Sequence, residues 1–147
     1  MVIIDANTWG NVFDPSNRRH GAFRPVKEYV ENNLKSLAWG GTHYAKELKR
    51  CPRYWGIHIE LEKGKRAIRF DTCAIDDEEV RVKSLDSSID FDDPHIIAIQ
   101  IISHAPIICS CDGRAFKYFK DAKFYPKAHD RPKIYSKKSH AELLRRI

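Results

Sequence analysis

A single domain built on a mainly parallel α/β sheet is the fold class that the sequence predicts, and three observations carry it. Two short apolar runs, VII ending on Asp5 and PIICSC running into Asp112, have the continuous hydrophobicity of strands covered on both faces. Segments with helical spacing alternate with extended ones, and no repeat or low-complexity linker interrupts them. At 147 residues, with 42% hydrophobic and 31% charged side chains, the chain has the make-up of one folded domain, residues 1–147, and not of a disordered tail.

The elements follow in order. The opening VIID is a buried strand that stops at Asp5, where Ala6, Asn7 and Thr8 are turn or cap formers. Residues 11–21 are polar and broken by Pro15 and Gly21, as in a loop or a short helix followed by a loop. Val26, Tyr29, Val30, Leu34 and Leu37 recur every three or four residues, which predicts an amphipathic helix with Pro25 in its first turn. LAWGG reads as a short extended piece ended by Gly40 and Gly41, and Thr42 as the cap of the helix THYAKELKRC.

Residues 53–71 admit two readings. Trp55, Ile57, Ile59 and Leu61 alternate as in a strand, so a hairpin turning at Lys63-Gly64-Lys65 competes with a continued helix. Asp76 or Asp77 is the expected cap of a helix carrying Val80, Val82 and Leu85. In FDDPHIIAIQIISHA, Asp92 or Asp93 caps, Pro94 takes the first helical position, and Ile96, Ile97, Ile101 and Ile102 form an apolar face. After the second buried strand, Gly113 turns the chain into a short helix with Phe116 and Phe119. Lys133 to Tyr135 reads as an edge strand, and Ser139 as the cap of a final basic helix.

The net charge of +6 favours an acidic partner, and nucleic acid is the commonest one for a protein of this size. Cys51, Cys73, Cys109 and Cys111 lack the paired spacing of a zinc site and read as buried free thiols in a reducing compartment. The amino terminus has no basic flank followed by an apolar stretch, and no apolar run is long enough for a bilayer. An intracellular, cytoplasmic protein is the expectation.

The acids carry the functional signal. If the two buried strands are parallel neighbours, Asp5 and Asp112 leave the sheet on the same edge. Asp93 opens the helix that leads into the second strand, and Glu47 lies one to two turns into the helix after the double glycine. Taken singly, each has an ordinary role: Asp93 as a cap, Glu47 as a partner of nearby lysines and arginines, Asp112 as part of an Asp-Gly turn. Gathered in one cleft they would repel strongly, and a hard divalent cation such as Mg²⁺ or Mn²⁺ removes that conflict.

With these residues in place, the chain resembles the PIN-domain nucleases. VIIDAN matches the first strand and acid, THYAKEL the helix with the Glu, and DPHIIAIQIISHAPIICSCD the third acid, its helix and the strand to the fourth. The tail, FKYFKDAKF and KIYSKKSHAELL, is similar to the end of a subset of that family, while residues 53–85 show least resemblance. The resemblance implies a three-layer α/β/α sandwich, an acidic cleft with one or two Mg²⁺ or Mn²⁺ ions, and cleavage of single-stranded RNA. It also implies kinship with VapC-type toxins, which an antitoxin protein restrains, and with a family that often forms homodimers. The metal-binding and catalytic acids would be Asp5, Glu47, Asp93 and Asp112, with Asp92 as rival to Asp93, and Asn7 and Ser110 would be small polar helpers. One departure stands out: Gly113, Arg114 and Ala115 follow the fourth acid where many members carry a further acid. Arg114 is then a candidate contact to the scissile phosphate, or a residue facing water.

A metal held by these acids would lower the pKa of a bound water and stabilise charge on the leaving oxygen. Trp9, Phe13, Trp39, Tyr44 and Trp55 are candidates to stack on bases or to fill the core. Two rivals remain. One is a PIN-like module that binds RNA or protein without cutting. The other is a haloacid-dehalogenase-type phosphatase, suggested by DANTW but weakened by Asn7, which cannot act as a general acid.

Overall fold

The computed structural model describes residues 1–147, apart from the side chain of Ala128. Five three-residue strands, β1 (Val2–Ile4), β2 (Leu37–Trp39), β3 (Ala67–Arg69), β4 (Ile107–Cys109) and β5 (Lys133–Tyr135), pair in the order β3-β2-β1-β4-β5, all parallel. Every residue of β1, β2 and β4 is buried, as continuous apolar runs require in a sheet covered on both faces. Val2 stands opposite Ile107 and Ile4 opposite Cys109, so Asp5 and the residues after Cys109 emerge at one edge.

The chain steps outward from β1 to β2 to β3 and then returns to the other side of β1 to lay down β4 and β5. With right-handed crossovers, that reversal sends the connecting helices to opposite faces and makes a three-layer α/β/α sandwich. α1 (Trp9–Phe13), α2 (His20–Asn32), α3 (Thr42–Lys49) and α4 (Pro52–Lys63) belong to the outward steps, α5 (Thr72–Ser84) and α6 (Pro94–Ser103) to the return. α7 (Phe116–Phe119) lies between β4 and β5. α5 packs along α6, while α2 packs on α1 and on the terminal 3-10 segment Lys138–Arg146. The β1/β4 boundary is the point where strand order reverses, and in open α/β sheets the crevice outside the strand ends at such a point is the binding position.

α6 is buried from Pro94 through Gln100, and each of its enclosed isoleucines contributes about 2 kcal/mol of burial. The aromatic core includes Trp9, Phe13, Trp39 and Tyr44, so these are not base-stacking surfaces; Trp55 is only partly covered. Among the described residues, no helix is long and apolar enough to cross a membrane.

Several local expectations are corrected. α2 begins at His20, which leaves Pro25 inside the helix and not in its first turn. The segment 53–71 is neither a hairpin nor one continued helix: α4 ends at Gly64 and β3 follows as a parallel edge strand. The apparent alternation hides a helical pair, His58 and Leu61, which are the buried residues of α4. Asp71, not Asp76 or Asp77, caps α5, accepting a hydrogen bond from the Ala74 N–H at 2.7 Å. The final basic segment is a 3-10 helix that starts at Lys138, so Ser139 lies inside it. Of the four free cysteines only Cys109 is buried, and Cys73 is exposed.

Candidate metal centre

Asp5 is fixed first. The chain leaves β1 into a 3-10 turn at Ala6–Thr8, and the Asp5 carboxylate accepts the Asn7 backbone N–H (3.1 Å) and the Ser110 hydroxyl (2.7 Å). Ser110 also accepts the Asp112 N–H at 3.1 Å, so one buried hydroxyl ties the first acid to the loop bearing the fourth. Thr8 completes the tie by accepting the Cys111 N–H at 3.1 Å. Ser110 therefore bonds the Asp5 carboxylate through its side chain, whereas Asn7 contributes its backbone and leaves its side chain exposed.

Glu47 is positioned through α3. That helix starts at Gly41, whose φ of +81° is left-handed and suits glycine. Thr42 does not cap it; the Asp76 carboxylate reaches across from α5 and accepts both the Thr42 N–H and its hydroxyl at 2.7 Å. Two residues later Tyr44 donates to the Ile4 carbonyl at 2.6 Å, which locks α3 against the end of β1. Asp93 stands before Pro94 as the N-cap residue of α6 and makes no side-chain capping bond.

Asp93 senses the other three acids. Burial, then Asp5, Glu47 and Asp112, push Asp93 from its ordinary 3.8 up to about 6, against the pull of His95. Asp5, almost wholly enclosed, is raised mainly by burial, against its bonds to Ser110 and Asn7. The other two are held down. Burial pushes Glu47 up, but His95, His43 and Arg50 outweigh it. For Asp112 the fork from Arg114 dominates, with Nε 3.2 Å from Oδ1 and Nη2 2.9 Å from Oδ2. Arg114 thus engages an acid of the site and is otherwise exposed, and Asp92 is an exposed neighbour. A cleft of about 320 Å³ is lined by Asn7, Glu47, Arg50 and Tyr54, so of the four acids Glu47 is the one that borders it, beside a cation and a phenol.

Sequence reasoning missed the histidines. His95 Nε2 approaches Glu47 Oε2 at 3.1 Å, and His43 Nε2 approaches Oε1 at 3.6 Å. His43 Nδ1 lies 2.7 Å from Glu79 Oε1 on α5. Among the described residues, His43, Glu79 and His95 are the trio of His, Cys, Asp or Glu side chains whose ligand atoms all fall within 4.8 Å of one another. The four acids are not gathered into so tight a cage. The only signal in the sequence was the i, i+4 spacing of His43 and Glu47. No family model matches this chain, and neither the curated proteins nor the solved structures contain a match to it.

Proposed function

We propose that this chain is a divalent-metal-dependent ribonuclease of PIN-like type that hydrolyses phosphodiester bonds in single-stranded RNA with Mg²⁺ or Mn²⁺. One observation carries the reading: Asp5 follows β1 at the strand-order reversal of a parallel sheet, and Asp93 is raised by burial first and then by the charge of Asp5, with Glu47 and Asp112 adding to it. The donor set fits a hard cation, because all four acids offer oxygen. Such an ion supplies an activated water and charge stabilisation at phosphorus.

The protein's own residues do the rest. Ser110 and the Asn7 N–H hold the Asp5 carboxylate in one orientation, and the Tyr44 hydroxyl keeps α3, and so Glu47, docked on β1. Arg114, exposed and flexible in reach, exchanges Asp112 for a substrate phosphate, and Arg50 supplies a second cation at the cleft mouth. The net charge of +6 adds long-range attraction for a polyanion. Cytoplasmic action as the toxin of a toxin–antitoxin pair belongs to the same reading.

The test is cleavage of labelled single-stranded RNA by wild type and Asp5→Asn, each with Mn²⁺ and with chelator. Cleavage that needs Mn²⁺ and drops roughly 10²- to 10³-fold in the variant is expected. Equal cleavage by both proteins would mark a contaminant. RNA binding without cleavage by the wild type would point to the non-catalytic module.

A further inference from the structure

His43 on α3, Glu79 on α5 and His95 on α6 come from three different helices, yet their ligand atoms lie within 4.8 Å of one another. We propose that they form a second metal site, nitrogen-bearing and selective for Zn²⁺-type ions, adjoining the carboxylate cleft. It does not depend on the ribonuclease reading.

His95 is the first argument. It is 1% exposed, its Nδ1 makes no hydrogen bond, and its Nε2 meets only the Glu47 carboxylate, at 3.1 Å. A buried polar group left unpaired costs about 1–3 kcal/mol, and coordination of a cation removes that cost. The donors are the second. Two imidazoles and one carboxylate make a set that suits zinc, with a fourth position for water, whereas Mg²⁺ prefers oxygen alone. Donors around a tetrahedral zinc stand about 3.4 Å apart for bonds of about 2.1 Å. The His43–Glu79 contact is 2.7 Å and every separation in the trio is at most 4.8 Å, a span that includes that value.

The surroundings complete the site. Glu47 sets its carboxylate against Nε2 of both histidines, at 3.6 and 3.1 Å, as an outer carboxylate does for metal-bound imidazoles. A groove of about 800 Å³ between α3 and α5, lined by His43, Lys46, Glu79 and Lys83, gives an entry path. An ion there staples α3, α5 and α6 together and fixes Glu47 from behind.

Co²⁺, added to the full chain and followed by its visible absorption, reads the site directly. Wild type should show the intense bands of low-coordinate Co²⁺, displaced by one equivalent of Zn²⁺ and untouched by excess Mg²⁺. Glu79→Gln, isosteric and partly exposed on α5, should weaken Co²⁺ binding on the order of 100-fold while its circular dichroism stays native. Asp5→Asn should leave the bands intact. The proposal is overturned by absence of the bands in wild type, by unchanged affinity in Glu79→Gln, or by bands that vanish in Asp5→Asn and persist in Glu79→Gln. Because the bands do not depend on RNA cleavage, a failed nuclease assay leaves this result standing.

Discussion

In the cleft beyond β1 and β4 every donor is a carboxylate oxygen, whereas in the neighbouring cluster on α3, α5 and α6 two of three donors are imidazole nitrogens. The two regions meet at Glu47, whose carboxylate is held below its ordinary pKa by the histidines, while on Asp93 the pull of His95 falls short of burial and the neighbouring acids, which push it up to about 6. The contrast shows where electrostatic strain is stored. Glu47 and Asp112 are relieved by His95, His43 and Arg114, so the unrelieved charge sits on Asp5 and Asp93. In the proposed ribonuclease a hard ion relieves that pair, and in the proposed second site a softer one suits the trio.

The sharpest way to break the contrast is Asp93→Asn. Removing that charge should reduce Mn²⁺-dependent cleavage by roughly 10²- to 10³-fold and abolish any rise in melting temperature on adding Mn²⁺. It should also stabilise the metal-free protein at neutral pH. The sign follows from proton binding: with a folded pKa of about 6 against an ordinary 3.8, the folded state holds the proton more tightly than the unfolded one. Metal-free wild type should therefore lose stability as pH rises from about 4 to about 7, by roughly 2–3 kcal/mol at most. Asp5 is raised as well and acts in the same direction. Melting temperatures across that range, with and without Mn²⁺, give the check. A flat metal-free profile would mean that the acids do not repel as placed.

Gly41→Ala tests whether α3 sets both regions at once. A Cβ there would meet Ile75 Cγ2 at 2.6 Å on a backbone with φ of +81°. The expected cost is about 2 kcal/mol in denaturant unfolding. Both Mn²⁺ and Co²⁺ binding should weaken together, since His43 and Glu47 lie one turn apart on the same helix. Loss of one without the other would separate the regions.

What was legible of the acids was their place in the elements: Asp5 after VII, Asp93 before Pro94, Asp112 after IICSC. Local rules announce such positions, and the parallel register of β1 with β4 then brings two of them to one edge. The trio was not legible, because nothing local connects Glu79 to His43 or His95; only the packing of α5 on α3 and α6 joins them. Asp76 failed for the same reason, its best use being to cap another helix at Thr42. Residues 53–71 misled because Ile57 and Ile59 are only partly covered, so alternating hydrophobicity did not report the buried face.

The smallest effect concerns Arg114, where the two roles open to it pull in opposite directions. Its guanidinium forks onto Asp112 at 3.2 and 2.9 Å, and the side chain is exposed, so the pair is screened and breaks readily. In Arg114→Ala, Asp112 is released to the cleft, and Mn²⁺ should bind a few-fold more tightly. The same change removes a cation from the path of a phosphate, so RNA should bind several-fold more weakly, with the salt slope reduced by about one. Under this scheme KM rises while kcat holds, because the arginine positions substrate without touching the attacking water. Calorimetry with Mn²⁺ and a salt series of RNA binding separate the outcomes. If both affinities fall, the fork to Asp112 organises the metal site instead of competing with it, and the exchange of Asp112 for phosphate is wrong.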